Sequence, residues 1–249
     1  MTKEPIPEQA ERGLLKVAPN SLEWLAMRKN LIGASDMGAI FGLSPWTTRH
    51  KLWLTKTGQM AEQPMTLRMK AGHYFEDGIA RMTFDHYGKL ITMDFDHGIR
   101  IHHDLPYLSC SLDRKGICED PYDLESVTNY VLDCKNMGMS QYSKMKKAQV
   151  PSEMYWLQIQ QQLLVTSDSV RPTVGYLTCW VANKMLKVFK INPCDATFDA
   201  IQMAAQAFQE CLITNTAPHD DNNAFVTEAY YKQMHDLIAE STEVVLEIE

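Results

Sequence analysis

The most chemically loaded pattern in this sequence is a pair of carboxylates about twenty residues apart, the second followed two positions later by a lysine. Asp113 ends the apolar-rich stretch Tyr107-Leu108-Ser109-Cys110-Ser111-Leu112, and Asp133 and Lys135 lie in Val131-Leu132-Asp133-Cys134-Lys135. Residues two apart in a strand share a face. Asp133 and Lys135 would therefore leave an apolar strand together, a costly placement unless each charge is partnered. Two acids with an adjacent lysine suit metal-assisted cleavage of a phosphodiester. A hard divalent cation takes oxygen ligands, lowers the pKa of bound water and neutralises charge on the scissile phosphate. The lysine orients the water or stabilises developing negative charge. The same D-x-K spacing also describes a solvated ion pair at a strand end, and spacing alone leaves both readings open.

Three further features bear on that choice. Glu76, in Gly72-His73-Tyr74-Phe75-Glu76, is an acid among aromatic neighbours in a helical pattern, though beside Asp77 it also reads as an exposed helix acid. Gln158 lies in Tyr155-Trp156-Leu157-Gln158-Ile159-Gln160-Gln161-Gln162-Leu163, where amides interrupt an apolar helix. Glutamine runs usually face solvent, yet Gln158 is one turn from residues expected in the core. Ser35, after Ile32-Gly33-Ala34, reads as the N-cap of a short helix. A capping serine on a glycine-bearing turn offers a hydroxyl and free N–H groups to an anion, aided by the helix dipole; capping alone is the plainer reading.

The elements that would position these residues follow from hydrophobic period. Asn20 and Glu23 suggest a capping box opening a helix to Asn30. Helices are expected from Ser35 to Phe41, over 47–57, and over 66–87 with Gly88 as the stop. The period then shortens: strands are expected near 89–94, 97–103, 107–112 and 128–135. Helices at 140–148 and 152–166, strands at 173–182 and 185–191, and a long helix over 195–213 complete the pattern. The spacing predicts an α/β fold, a mixed central β-sheet flanked by helices. Residues 1–19 read as an N-terminal arm.

Composition alone would mislead. The 249 residues carry 24 Lys and Arg against 31 Asp and Glu, a formal charge of −7, which argues against coating nucleic acid by bulk positive charge. The excess is confined to residues 218–249, where eight acids face Lys232 alone. The stretches 28–89 and 135–147 are net basic. Met234 to Ile248 shows helical or coil-like spacing. The acidic segment is expected away from any DNA path, and its deletion is expected to spare cutting of short duplexes. No apolar run reaches the ~18 residues of a membrane span and no signal-peptide core is present, so a cytoplasmic protein is expected. The six cysteines lack a C-x-x-C pair and read as reduced thiols.

Taken in order, Glu23-Trp24, Arg28, Ile32-Gly33-Ala34-Ser35, Gly72…Glu76, Cys110-Ser111-Leu112-Asp113, Asp133-Cys134-Lys135 and Gln158-Ile159-Gln160 resemble the phage lambda exonuclease and YqaJ-type viral recombinase nucleases of the PD-(D/E)xK superfamily. The resemblance runs from about Glu23 to Lys190. It implies a restriction-endonuclease-like core and a single nuclease domain over 1–217. The acidic segment 218–249 would belong to the same domain or form a docking helix. It implies Mg²⁺, with Mn²⁺ able to substitute, ligated by Asp113, Asp133 and the backbone carbonyl of Cys134. Lys135 would be the catalytic lysine, Glu76 an acidic member of the site and Gln158 an ordering residue; Arg28 and Ser35 would hold a DNA 5′-phosphate. Leu112 replaces the family's proline, and Asp133 stands where lambda-type enzymes carry Glu, leaving one or two ions open.

The activity implied is a 5′→3′ exonuclease on double-stranded DNA ends, producing mononucleotides and 3′ overhangs for strand-annealing recombination. A homotrimeric ring, a single-strand annealing partner and a phage or prophage source in a bacterial host are implied with it. The competing readings are a non-catalytic DNA-end-binding or scaffold protein of this fold, and an endonuclease or single-strand nuclease. Zinc at His97, His102, His103, Cys110 and Cys118 is disfavoured because tight ligand pairs are missing. Arg49, Lys51, Lys144, Lys146 and Lys147 are DNA-path candidates by charge only.

Overall fold

In the computed structural model the described residues are 13–18, 21–96, 98–123, 125–167, 172–219 and 225–249. They form two mixed sheets and eight α-helices, the α/β class expected, although with two sheets where one was anticipated. The larger sheet has the order β5-β6-β7-β8-β9: Arg114–Glu119, Val127–Met137, Pro172–Val181, Met185–Ile191 and Thr242–Ile248. β6 and β7 run parallel and the other pairs antiparallel. The smaller sheet has the order β1-β3-β4-β2: Leu14–Leu15, Ile99–Ile101, Leu108–Cys110 and Ile32–Gly33. There β2 lies parallel to β4, with Gly33 opposite Ser109.

Helix α4 (Leu67–Tyr87) covers one face of the larger sheet. Its N-cap Thr66 accepts from Met69 N–H, and Gly88 ends it in the left-handed region at φ 73°. Ala80 packs there against Leu132, Tyr130, Tyr176 and Val188. Helix α6 (Glu153–Thr166) lies on the opposite face, in the main core with Val131, Leu177, Cys179 and Phe189. The approach is close at Gly175, where a Cβ would meet Ile159 Cγ2 at 2.3 Å. Helices α2 (Met37–Ile40) and α7 (Asp195–Thr214) pack on α6, α3 (Arg49–Lys56) packs on α2 and α7, and α1 (Leu22–Asn30) precedes β2.

Several expectations are corrected. Ser21, not Asn20, caps α1 by accepting from Trp24 N–H; Asn20 lies outside the described residues, as do residues 1–12 of the expected arm. The expected strand at 89–94 is reduced to single bridges at Leu90 and Asp94, which pair with Cys118 and Lys115 of the unanticipated strand β5. Residues 234–248 do not continue as one helix: α8 (Glu228–Ser241) gives way to β9. The acidic segment is thus built in. α8 buries Tyr230, Met234 and Ile238 in the main core. β9 places Glu247 opposite Lys187 and Glu243 opposite Lys190, with ion pairs at 2.6 and 3.4 Å. Deletion of these residues would strip an edge strand and a core layer, so the expectation of a dispensable tail does not hold. Arg49 is also corrected: it is buried, with Nε donating to Ile40 O at 2.7 Å and its guanidinium over the Phe225 ring. Lys146 is an ion-pair partner of Glu249 at 2.6 Å.

Candidate active site

The antiparallel register of β5 and β6 sets Arg114 opposite Leu132, so Asp113 enters the sheet at the level of Asp133. Asp113 Oδ2 accepts the Cys134 N–H at 2.7 Å. One residue either side of Cys134, Asp133 and Lys135 point to the α6 face. Asp133 is 2 % exposed. Its Oδ1 accepts from Gln158 Nε2 at 2.7 Å and Gln162 Nε2 at 3.1 Å. Its Oδ2 has no hydrogen bond of acceptable geometry and is met by the Lys135 ammonium. Lys135 also faces the Tyr155 ring, 5.3 Å from its centroid. One helix therefore supplies the amides that grip the acid and the aromatic wall beside the lysine.

Glu76 reaches the same strand end from α4 through an arginine that sequence reasoning missed. Arg114 is 1 % exposed. Nη1 donates to Glu76 at 3.1 Å and to the Asp113 carbonyl, and Nη2 donates to Asp77 at 3.0 Å. The guanidinium also stacks on Phe95 at 3.7 Å. Asp77 is paired inward with Arg114 and outward with Arg81. The available signal for Arg114 was its position directly after Asp113. For Gln162 it was the i,i+4 spacing from Gln158, which puts both amides on one helix face.

The electrostatics of this cluster are unbalanced. Burial pushes the Asp113 carboxyl well above the usual range, and the like charges of Asp133 and Glu76 push it further than Lys135 and the Cys134 N–H can pull it back. Burial works against the Lys135 charge, but Asp133 and Asp113 outweigh it and hold the ammonium pKa above its ordinary value. Among the described residues no group of three or more His, Cys, Asp or Glu side chains is arranged to hold a metal ion. Two carboxylates, one with an oxygen met only by the Lys135 ammonium, are nonetheless the donor set a Mg²⁺ ion needs, since it keeps several waters and uses one or two protein carboxylates.

Arg28 and Ser35 are brought together at the smaller sheet. Arg28 Nη2 donates to Ser35 Oγ at 3.0 Å and its guanidinium lies 4.5 Å from the Trp24 ring centre. Ser35 is not an N-cap. It sits inside a 3₁₀ turn, Ala34–Asp36, and Asp36 Oδ2 takes the Gly33 N–H at 2.9 Å. Asp36 is paired with Lys56 at 2.9 Å, and Lys56 also donates to the carbonyls of Arg28 and Leu31. Burial raises the Asp36 pKa, but Lys56 and Arg28 more than offset it and hold the carboxyl below its usual value. Arg28, Lys29, Lys56 and Trp24 line one cleft.

Among the described residues the histidines and cysteines do not gather into a group that could hold a metal ion. His102 Nδ1 accepts the N–H groups of Asp104 and Leu105, and burial pushes the Cys110 thiol up. His97 lies outside the described residues.

Residues 23–169 match the YqaJ-like viral recombinase domain. The chain belongs to this family. It is 26 % identical over 218 residues to the uncharacterized protein YqaJ of Bacillus subtilis (strain 168), covering 86 % of this chain and 63 % of that protein's length. Its fold matches that of an alkaline exonuclease, LHK-Exo, from Laribacter hongkongensis, with a TM-score of 0.60 at 17 % identity, over 87 % of this chain and all of the other. LHK-Exo in complex with dAMP matches with a TM-score of 0.62 at 18 % identity, over 78 % of this chain and 94 % of the other. This YqaJ-like chain thus shares its fold with that alkaline exonuclease. Among the described residues no helix is long and apolar enough to cross a membrane.

Proposed function

We propose that this YqaJ-like protein is a Mg²⁺-dependent 5′→3′ exonuclease that degrades linear double-stranded DNA to mononucleotides and leaves 3′ single strands for annealing. The observation that carries the reading is that Asp113 accepts the Cys134 N–H beside Asp133, with Lys135 against the second carboxylate. Excess negative charge there favours a cation that the protein does not itself supply. Asp113, Asp133 and the Cys134 carbonyl would hold Mg²⁺, with Mn²⁺ as a substitute. When bound, the ion supplies Lewis acidity, lowering the pKa of water and neutralising charge on the scissile phosphate.

The remaining roles belong to the chain. Gln158 and Gln162 fix the Asp133 carboxylate, so it does not reorganise during the reaction. Lys135 holds the nucleophilic water in line and stabilises the developing negative charge. Glu76, kept at the site by Arg114, completes the acidic set. Arg28 and Ser35 take the terminal 5′-phosphate, exchanging their mutual hydrogen bond for bonds to its oxygens. The mononucleotide product is consistent with the dAMP held by LHK-Exo. A ring-shaped homotrimer and a single-strand annealing partner complete the proposal on family resemblance.

The test is cleavage of linear duplexes bearing 5′-phosphate or 5′-hydroxyl in Mg²⁺. Wild type is expected to prefer phosphorylated linear ends. Lys135→Ala should fall by about 10³-fold, and Arg28→Ala should lose the phosphate preference. Full activity of Lys135→Ala, or efficient cutting of covalently closed duplex by wild type, overturns the reading.

A further inference from the structure

Gln161 is wholly buried, with 0 % exposure, and neither the acids nor the phosphate turn contains it. Its single amide NH₂ spends both donors on main-chain carbonyls of two different strands: Ile32 O of β2 at 3.0 Å and Ser109 O of β4 at 2.8 Å. Its Oε1 is buried without a hydrogen-bond partner. A buried acceptor left unpaired is unfavourable, and a methionine of similar volume would avoid it. What the amide achieves is connection.

Ile32 precedes Gly33, whose N–H is held by Asp36, and an added Cβ there would lie within 4 Å of both Arg28 Nη2 and Ser35 Oγ. Ser109 Oγ also reaches toward Ile32 O at 3.3 Å. On the next residue of the same helix, Gln162 Nε2 donates to Ser111 O at 3.3 Å and to Asp133 at 3.1 Å, and Gln158 grips Asp133 from one turn earlier. One turn of α6 therefore binds the base of the Arg28–Ser35 turn, the strand leading to Asp113, and the Asp133 carboxylate. Three side chains of one rigid helix serve as a common reference for two groups that the chain delivers about a hundred residues apart.

We infer that Gln161 is a positioning residue that fixes the distance between the 5′-phosphate anchor and the cleaving carboxylates, and so determines where the first bond is cut. The inference rests on the exonuclease reading above. An anchor and a cutting centre must keep a constant separation for one nucleotide to leave per cut, and a misplacement of about 1 Å costs roughly 10²-fold in rate. Gln161 touches neither end of the DNA, so its loss should leave phosphate binding to Arg28 and Ser35 intact while spoiling the alignment of bound ends.

The experiment uses the full chain as wild type, Arg28→Ala, Gln161→Met and Gln161→His. Binding of duplexes with 5′-phosphate or 5′-hydroxyl is measured by fluorescence anisotropy in EDTA, and kcat, KM and first-product length in Mg²⁺. Gln161→Met is expected to keep the wild-type binding preference for phosphorylated ends. Its kcat on those ends should fall tenfold or more, with a much smaller fall on hydroxyl ends, and its first products should become mixed in length. Gln161→His, which retains a ring N–H donor, should recover part of the rate. Arg28→Ala should instead lose the binding preference. Equal losses on both end types with unchanged product length overturn the inference. So does failure of both Gln161 variants to fold, which would make the amide a support of the core alone. Wild type that ignores the end group defeats the exonuclease reading and this inference with it, and is recognised without any variant.

Discussion

Two buried Asp–Lys pairs in this molecule end in opposite electrostatic states. At the smaller sheet, Asp36 meets Lys56 at 2.9 Å with Arg28 nearby, and the carboxyl is held below its ordinary value. At the larger sheet, Asp133 meets Lys135, but Asp113 and Glu76 share the space and Asp113 is driven upward. The first group is complete as folded: one acid, two cations and a backbone N–H. The second has more acid than its lysine can neutralise. A carboxylate beside a lysine is thus not a functional signature in itself. The sum over the neighbours decides whether the pair is structural or waits for a cation.

The comparison breaks most sharply at Asp113. Asp113→Asn should abolish nuclease activity, by about 10³-fold, while leaving the thermal midpoint unchanged or higher. An amide oxygen can still accept the Cys134 N–H, and the like-charge repulsion disappears. Calorimetry beside a DNA-release assay checks both halves; a large drop in stability would mean that the carboxylates are balanced after all. The mirror substitution, Asp36→Asn, leaves buried Lys56 without its counter-charge and should destabilise the fold by about 3 kcal/mol. Because the Asp36 pKa is depressed in the folded protein, its stabilisation is present above the unfolded value near 3.8 and is lost as pH falls through the folded value. Denaturant midpoints of wild type and Asp36→Asn should therefore converge in acid; parallel curves would contradict the assignment. The smallest effect is that of the ion. Mg²⁺ at a hundred times its dissociation constant should stabilise wild type by about 2.7 kcal/mol. It should do so hardly at all in Asp133→Asn, and an equal shift in both proteins would place the ion elsewhere.

Much of the frame was legible from period and punctuation. α4, α6, α7, β7 and β8 lie within a residue or two of their expected bounds, because each is long, strongly patterned and ended by a clear stop such as Gly88. β5 was not, because Arg114, Lys115 and Gly116 break its apolar alternation. Only pairing with β6 on one side and bridges to Leu90 and Asp94 on the other make it a strand. β9 was hidden for a related reason: Thr242-Glu243-Val244-Val245-Leu246-Glu247 carries acids whose partners, Lys187 and Lys190, lie on a strand 60 and 53 residues earlier.

The sequence by itself determined which residues could act, because a two-residue spacing on a strand forces Asp133 and Lys135 onto one face wherever that strand goes. It could not reveal that Arg114 collects Glu76 and Asp77, or that Gln161 and Gln162 are core. Those outcomes depend on contacts between residues 29 to 129 positions apart. Local pattern has no term for such a contact. Only packing, which penalises a buried donor without an acceptor and a buried charge without a partner, decides which distant residue supplies it.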